Sequence, residues 1–354
     1  MSSLTWRTKQ TGFLLPIAVI WMSMPLLARQ KTDVIVMTNG DRLTCEIKQL
    51  DHGVLYASLQ YIDGTVSIDW SMVKSLESSQ LFSVETVGGL TYAGTLRTAE
   101  SPEDEPRRIE IVEDALQQNA LVEQSKIVRA EQYDDSFWHR MHGSFSWGLT
   151  YNKSNNNTQY NLGSDLSYLR ERSKLSLSYD SVLSSTSGAT ATTRNQVNLS
   201  AQRLLRWDNW YYEGATNFLE SSAQGINSQT TSGGGVGRYF INTNATRIQL
   251  LAGLGWQNTF YVDRPTQNDL VFFIEGGLYV FRFKKTDLTV TPVLYPSITD
   301  GGRIRFNLNA KYKIQIVSDL WWSISLYGSW DNRPPVGFTG SDYGTSVGLT
   351  YSFH

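Results

Sequence analysis

His142, Ser144 and Asn156 are the residues whose types come nearest to a reaction centre. A serine hydroxyl becomes a nucleophile when a histidine takes its proton and an amide orients that histidine, and residues two apart on a strand share a face. Their placement argues against hydrolysis. Phe145, Trp147 and Leu149 form the apolar face of the same segment, so Ser144 turns the other way at the segment's start, a strand length from Asn156. A polar residue at a strand entrance is the plainer reading, and a hydrolase ranks last among the functions considered. His52, His139 and His354 complete the histidines without metal-ligand spacing. Gly233-Gly234-Gly235-Val236-Gly237 lies inside a strand, where missing side chains ease bending, and does not introduce a phosphate-cradling helix. The chain is read as a non-enzyme without catalytic residues, cofactor or metal.

A second set of residues could act by charge alone. Lys174, Arg247, Arg303, Arg305, Lys311 and Lys313, together with Asp165, Asp180, Glu213 and Glu275, sit on the polar faces of alternating segments. The clearest segment runs from Arg303 to Ile316. There Ile304, Phe306, Leu308, Ala310, Tyr312, Ile314 and Ile316 face one way, and Arg, Asn, Lys and Gln the other. Period two is a strand period that no helix can segregate. In a soluble sandwich the apolar face would be core; in a membrane barrel it meets lipid, and the polar face lines a lumen.

Three features choose the barrel. First, residues 1–28 carry Arg7 and Lys9, then an apolar stretch interrupted by Pro16 and Pro25, then Leu26-Leu27-Ala28, which reads as a secretory signal peptide cut after Ala28. Its loss removes two positive charges and moves the formal charge from −2 to about −4, which argues against nucleic acid as a partner. The single cysteine, Cys45, excludes an intramolecular disulfide framework, so core and strand ladders must hold the exported chain.

Second, strands are expected near 142–152, 159–170, 173–184, 194–206, 209–220, 229–241, 245–257, 269–283, 287–298, 303–316, 320–331 and 342–353. Every even-numbered connection between them, such as Trp207-Asp208, is two or three residues, and every odd-numbered one is longer. Short periplasmic turns and longer outer loops are the habit of bacterial outer-membrane barrels. Third, Trp207, Trp210, Trp321 and Trp322 fall at one set of strand ends and Trp256 and Trp330 at the other, as two interfacial girdles would require.

The preceding region is a tandem repeat. Thr38-Asn39-Gly40-Asp41-Arg42-Leu43 is echoed from Thr86 to Leu96, with Gly40 over Gly89 at an offset of 49. Ser71-Met72-Val73-Lys74 is echoed by Ser125-Lys126-Ile127-Val128 at an offset of 54. Each copy is too small to bury much core alone, and turn pairs such as Asn39-Gly40 and Asp63-Gly64 point to hairpins in SH3-like β units packed together. The expected domains are a signal peptide at 1–28, a periplasmic tandem-repeat β domain at 33–132, a linker at 133–141 and an outer-membrane barrel at 142–354.

The Asn39-Gly40-Asp41-Arg42-Leu43-Thr44 opening, the Gly64 hairpin leading to Ile68-Asp69-Trp70, Trp147-Gly148-Leu149 and the closing Gly348-Leu349-Thr350-Tyr351-Ser352-Phe353 resemble the YdiY-like group of salt-induced outer-membrane proteins, whose function is unknown. The resemblance implies a fold and a location in the outer membrane; it carries no substrate and no catalytic residue.

The expected fold is all-β: a transmembrane antiparallel barrel of about 12 strands preceded by the tandem-repeat domain. Val347, Leu349, Tyr351 and Phe353 form one face of the last strand and are the expected signal to the barrel-assembly machinery. The leading function is a narrow passive pore for small polar or anionic solutes, lined by the ten charged residues named above. The alternative is a non-conducting envelope protein, with the barrel as its anchor in outer-membrane lipid and the front domain binding a periplasmic protein or the cell wall.

Overall fold

The computed structural model of the chain describes residues 31–354 apart from 52, 63, 101, 103–104, 114–117, 133–140, 153–156, 171, 187–189, 206–207, 264, 283–285, 318 and 354. The signal-peptide segment, residues 133–140 of the linker, Asn156, Trp207 and three of the four histidines lie outside the described residues. Residues 31–354 fold as one unit that contains two sheets.

The front sheet comprises β1 (Asp33–Met37), β2 (Arg42–Asp51), β3 (Val54–Leu59), β4 (Val66–Asp69), β5 (Val73–Thr86), β6 (Thr91–Thr98), β7 (Arg108–Glu113), β8 (Gln118–Glu123) and β9 (Ile127–Gln132). Its order is β4-β3-β2-β1-β5-β6-β7-β8, and β9 pairs with both β2 and β5. The repeat is visible bond by bond. Gly40 N donates to Met37 O, and Gly89 N to Thr86 O; Thr38 N donates to Met72 O, and Val87 N to Lys126 O. Both turn glycines have positive φ, 92° and 74°, where a side chain would be strained.

The two copies are not separate units. β5 serves both: Val73 to Glu77 pairs with β1, and Phe82 to Thr86 pairs with β9. The last strand of the second copy, β9, also pairs with β2 of the first. Ile35, Ile47 and Leu55 from the first copy and Ile109, Ile111 and Ile127 from the second then share one core, which answers the small size of each copy.

The second sheet is a closed antiparallel barrel of β10 (Met141–Asn152), β11 (Asn157–Arg170), β12 (Ser173–Thr186), β13 (Thr192–Leu204), β14 (Trp210–Ser221), β15 (Ile226–Asn242), β16 (Thr246–Tyr261), β17 (Gln267–Arg282), β18 (Thr286–Pro296), β19 (Ile304–Val317), β20 (Leu320–Asp331) and β21 (Ser341–Phe353). Its faces are reversed from those of a soluble protein. Leu149, Leu162, Leu254 and Ile316 are each more than half exposed, while Arg194, Gln196, Gln229, Gln257 and Asp269 are buried. Apolar outside and polar inside is the arrangement of a barrel solvated by lipid.

Closure occurs between β10 and β21, paired from Gly143↔Phe353 to Trp147↔Leu349. Just beyond, a Cβ on Gly148 would lie 2.3 Å from the Val347 carbonyl oxygen, and one on Gly348 would lie 2.2 Å from that of Trp147. The two backbones approach so closely that any side chain would part them.

Two sequence expectations require correction. The fourth connection is not the two residues Trp207-Asp208; it runs from Leu205 to Asn209, because Asp208 and Asn209 adopt positive φ (52° and 59°) and the turn reaches out to the front sheet. Trp321 does not join the girdle, since neighbours on a strand face opposite ways. Trp322 is exposed, and Trp321 lies under the Lys313 ammonium, 5.1 Å from the ring centroid.

Candidate functional site

Among the described residues, cavities in the barrel interior are lined largely by polar residues, set by which strand segments contribute inward residues. At the end nearest the front sheet, a chamber of about 310 Å³ is lined by Lys174, Glu213, Arg247 and Glu275 from the wall. Its remaining lining includes Glu85 and Arg129 of the front sheet. Three asparagines hold the two sheets together: Asn209 Nδ2 donates to Val87 O at 2.7 Å, Asn242 Nδ2 to Glu85 Oε1 at 3.2 Å and Asn244 Nδ2 to Ile127 O at 2.8 Å. Arg129 lies 3.6 Å from Glu85 and 3.4 Å from Glu131. Burial opposes its charge, but Glu131, Glu85 and Asp51 outweigh burial and raise its pKa above the ordinary arginine value. Arg129 therefore stays charged at the floor of the chamber, held between two carboxylates.

The wall above this chamber carries an apolar cluster of Leu204, Tyr211, Tyr239, Leu251 and Phe273. The glycine run of β15 acquires a specific role here: a Cβ on Gly237 would lie 2.3 Å from the Tyr211 ring, so the missing side chain gives that ring its place.

The central cavity, about 250 Å³, is lined by Asp165, Asp180 and Lys311 among serine, threonine and asparagine side chains. Lys311 Nζ bridges to Asp165 Oδ2 at 3.2 Å and donates to Ser146 Oγ at 3.2 Å. Ser144 also donates to Asp165 at 3.2 Å, which places its hydroxyl in a lumen network. Farther along, Arg194 of β13 reaches Asp342 of β21 at 3.1 Å, and Ser221 donates to the same carboxylate at 3.0 Å. These bonds run as chords between strands that are not neighbours in the wall.

At the far end, Arg303 is 1% exposed and binds Asp331 through Nη2 at 2.6 Å and Nε at 3.2 Å, Tyr261 through Nη2 at 2.7 Å and Asp269 through Nη1 at 3.4 Å. Arg305 lines a much smaller cavity of about 20 Å³. Lys313 is engaged nearer the front sheet by Asp287 at 3.0 Å.

The ten charged residues thus fall into separate groups rather than one stripe. Arg303, Lys311 and Lys313 are each ion-paired with a carboxylate, whereas Arg305 makes no ion pair among the described residues. Arg194, Asp269, Asp331 and Asp342 were absent from the sequence-derived set, although the alternation of Arg194, Gln196 and Asn198 in β13 carries the signal. Glu85 and Arg129 had no such signal, because their position depends on docking of the front sheet. Val347 and Tyr351 are exposed on the outer face of β21, and Phe353 stacks on Phe145 at 5.8 Å. Among the described residues, no cluster of three or more His, Cys, Asp or Glu could hold a metal.

Three solved structures show low similarity, each aligned over 60% of this chain. A NanC porin in a rhombohedral crystal form is 12% identical, covered over 100% of its length, with a TM-score of 0.38. A porin refined at 1.8 Å is 8% identical, covered over 99%, with a TM-score of 0.29. The β domain of the Bordetella autotransporter BrkA is 12% identical, covered over 98%, with a TM-score of 0.28. No curated protein matches the chain. A family model described as "Protein of unknown function, DUF481" matches residues 146–353, the barrel from its closing strand pair onward, and the chain belongs to that family.

Proposed function

We propose that the chain is an outer-membrane protein that passes small polar solutes, anions preferentially, through a narrow lumen whose periplasmic mouth is covered by the front domain. The observation that carries this reading is the run of polar cavities inside a barrel whose outer face is apolar. A barrel of eight strands has a filled interior and one of sixteen an open channel, so twelve strands leave intermediate room. The anion preference rests on the smallest cavity, where Arg305 makes no ion pair among the described residues. Assembly by the barrel-assembly machinery, through the outer face of β21, belongs to the same reading.

One observation favours a second reading, a barrel that anchors a periplasmic binding domain. The chords from Arg194 to Asp342 and from Lys311 to Asp165 cross the lumen, and the asparagine contacts hold the front sheet against its mouth. A periplasmic protein or the cell wall would then be the ligand of the front domain. Liposome swelling separates the two. Vesicles carrying the full-length protein, with valinomycin to admit potassium, should swell in potassium chloride faster than protein-free vesicles; swelling no faster than those vesicles supports the anchor.

A further inference from the structure

Arg305 is a charged lumen residue whose three buried donor nitrogens are all left without a hydrogen bond among the described residues. Its side chain lines the far cavity, the residue is 6% exposed, and Nε, Nη1 and Nη2 all lack a hydrogen-bond partner. The carboxylate that should serve it is close. Asp331 lies directly across the β19–β20 ladder from Arg305. Both Asp331 oxygens, however, accept from Arg303, and Oδ1 also accepts from the Arg333 amide at 2.9 Å. Arg303 takes Asp269 and Tyr261 as well. The neighbouring arginine therefore takes both nearby carboxylates as its own hydrogen-bond partners and leaves the Arg305 donors bonded to neither.

A guanidinium taken from water without hydrogen bonds or a counter-ion is strongly disfavoured. Planar N–H donors left open in such a place match an anion in charge and geometry. The rest of the lining supplies amides and hydroxyls rather than carboxylates, apart from the engaged Asp331: Asn217, Gln229, Gln257, Asn307 and Ser329. Gln257 donates through Nε2 to Thr231 at 2.8 Å while its Oε1 has no partner. Because a threonine hydroxyl can donate as well as accept, a turned amide would offer that Nε2 to the cavity. The free volume, about 20 Å³, admits one water-sized occupant and is too small for an organic acid.

We propose that Arg305 is the centre of a lumenal site for a single halide-sized anion, seated against its open guanidinium. The site deepens the pore reading by naming a ligand class and is tested by binding, independently of conduction. Crystals of the full-length protein equilibrated in sodium bromide should give a bromine anomalous peak within hydrogen-bond distance of the Arg305 guanidinium. Arg305→Gln should lose that peak, and Arg305→Lys, which keeps the charge, should retain it. In solution, replacing gluconate by bromide at constant ionic strength should raise the wild-type melting temperature and leave that of Arg305→Gln unmoved. A wild-type cavity holding water without anomalous signal, or a peak that survives in Arg305→Gln, overturns the site. Bromide bound by a barrel that carries no current would keep the site and remove the pore; current without bound bromide would do the reverse.

Discussion

Trp70 and Gln124, 54 residues apart, bond each other twice: the indole Nε1 donates to the Gln124 carbonyl at 3.0 Å, and Gln124 Nε2 donates to the Trp70 carbonyl at 2.9 Å. Each is the first residue of a short 3-10 turn, Trp70–Met72 and Gln124–Lys126, and each turn leads into the last strand of its copy. Equivalent positions of the two repeats thus meet in the buried joint between them.

Trp70→Phe removes the indole donor while the Gln124 carbonyl keeps the Ile127 amide, so the cost is that of one hydrogen bond, about 0.5–1.5 kcal/mol. Hydrogen exchange should show lost protection in Val73 to Ser78 and in Ile127 to Gln132 together, with the barrel strands unchanged. Loss confined to one copy would show that the joint does not couple them.

Gly148→Val and Gly348→Val each place a side chain where a carbonyl oxygen already stands, 2.3 and 2.2 Å from the Cβ position. Neither variant should yield the compact, heat-modifiable form that closed barrels show on gels. Gly301→Ala, whose Cβ meets nothing within 4 Å, should assemble as wild type. Normal closure of the two valine variants would contradict the close approach.

Leu308→Arg puts a guanidinium on the lipid face, at a cost of roughly 2–4 kcal/mol near the membrane midplane, whereas Asn309→Arg adds a charge to the central cavity. Assembly should weaken for the first and persist for the second. Equal behaviour would show that the inside and outside of β19 have been exchanged.

Cys45 is fully buried, and burial first, then Asp33 and Glu46, raises its thiol pKa from 9.0 to about 12. Iodoacetamide should leave it untouched at pH 8 in the folded protein and modify it in denaturant. The unfolded thiol ionises first, so its contribution to stability is full below pH 9 and is lost as pH rises toward 12. Rapid native alkylation would show the front core to be open.

Much of the barrel was legible because its signal is local. The alternation of Ile304 to Ile316 gives strand and face at once, and the echo of Gly40 in Gly89 gives the repeat. What escaped depends on contacts between distant segments. The Leu205–Asn209 turn follows from docking of Asn209 on Val87. Whether Arg303 or Arg305 receives Asp331 is decided by side-chain reach across a loop, which alternation does not encode. The sharing of β5 by both copies likewise needs the whole sheet, since either half of that strand reads as an ordinary strand by itself.

The most direct test of the pore is the reversal potential of the full-length protein in a planar bilayer across a potassium chloride gradient. The account predicts discrete conductance with anion preference, and a shift toward cation preference in Arg305→Glu with assembly retained. A folded, closed barrel that carries no current, or a reversal potential that Arg305→Glu leaves in place, would contradict it.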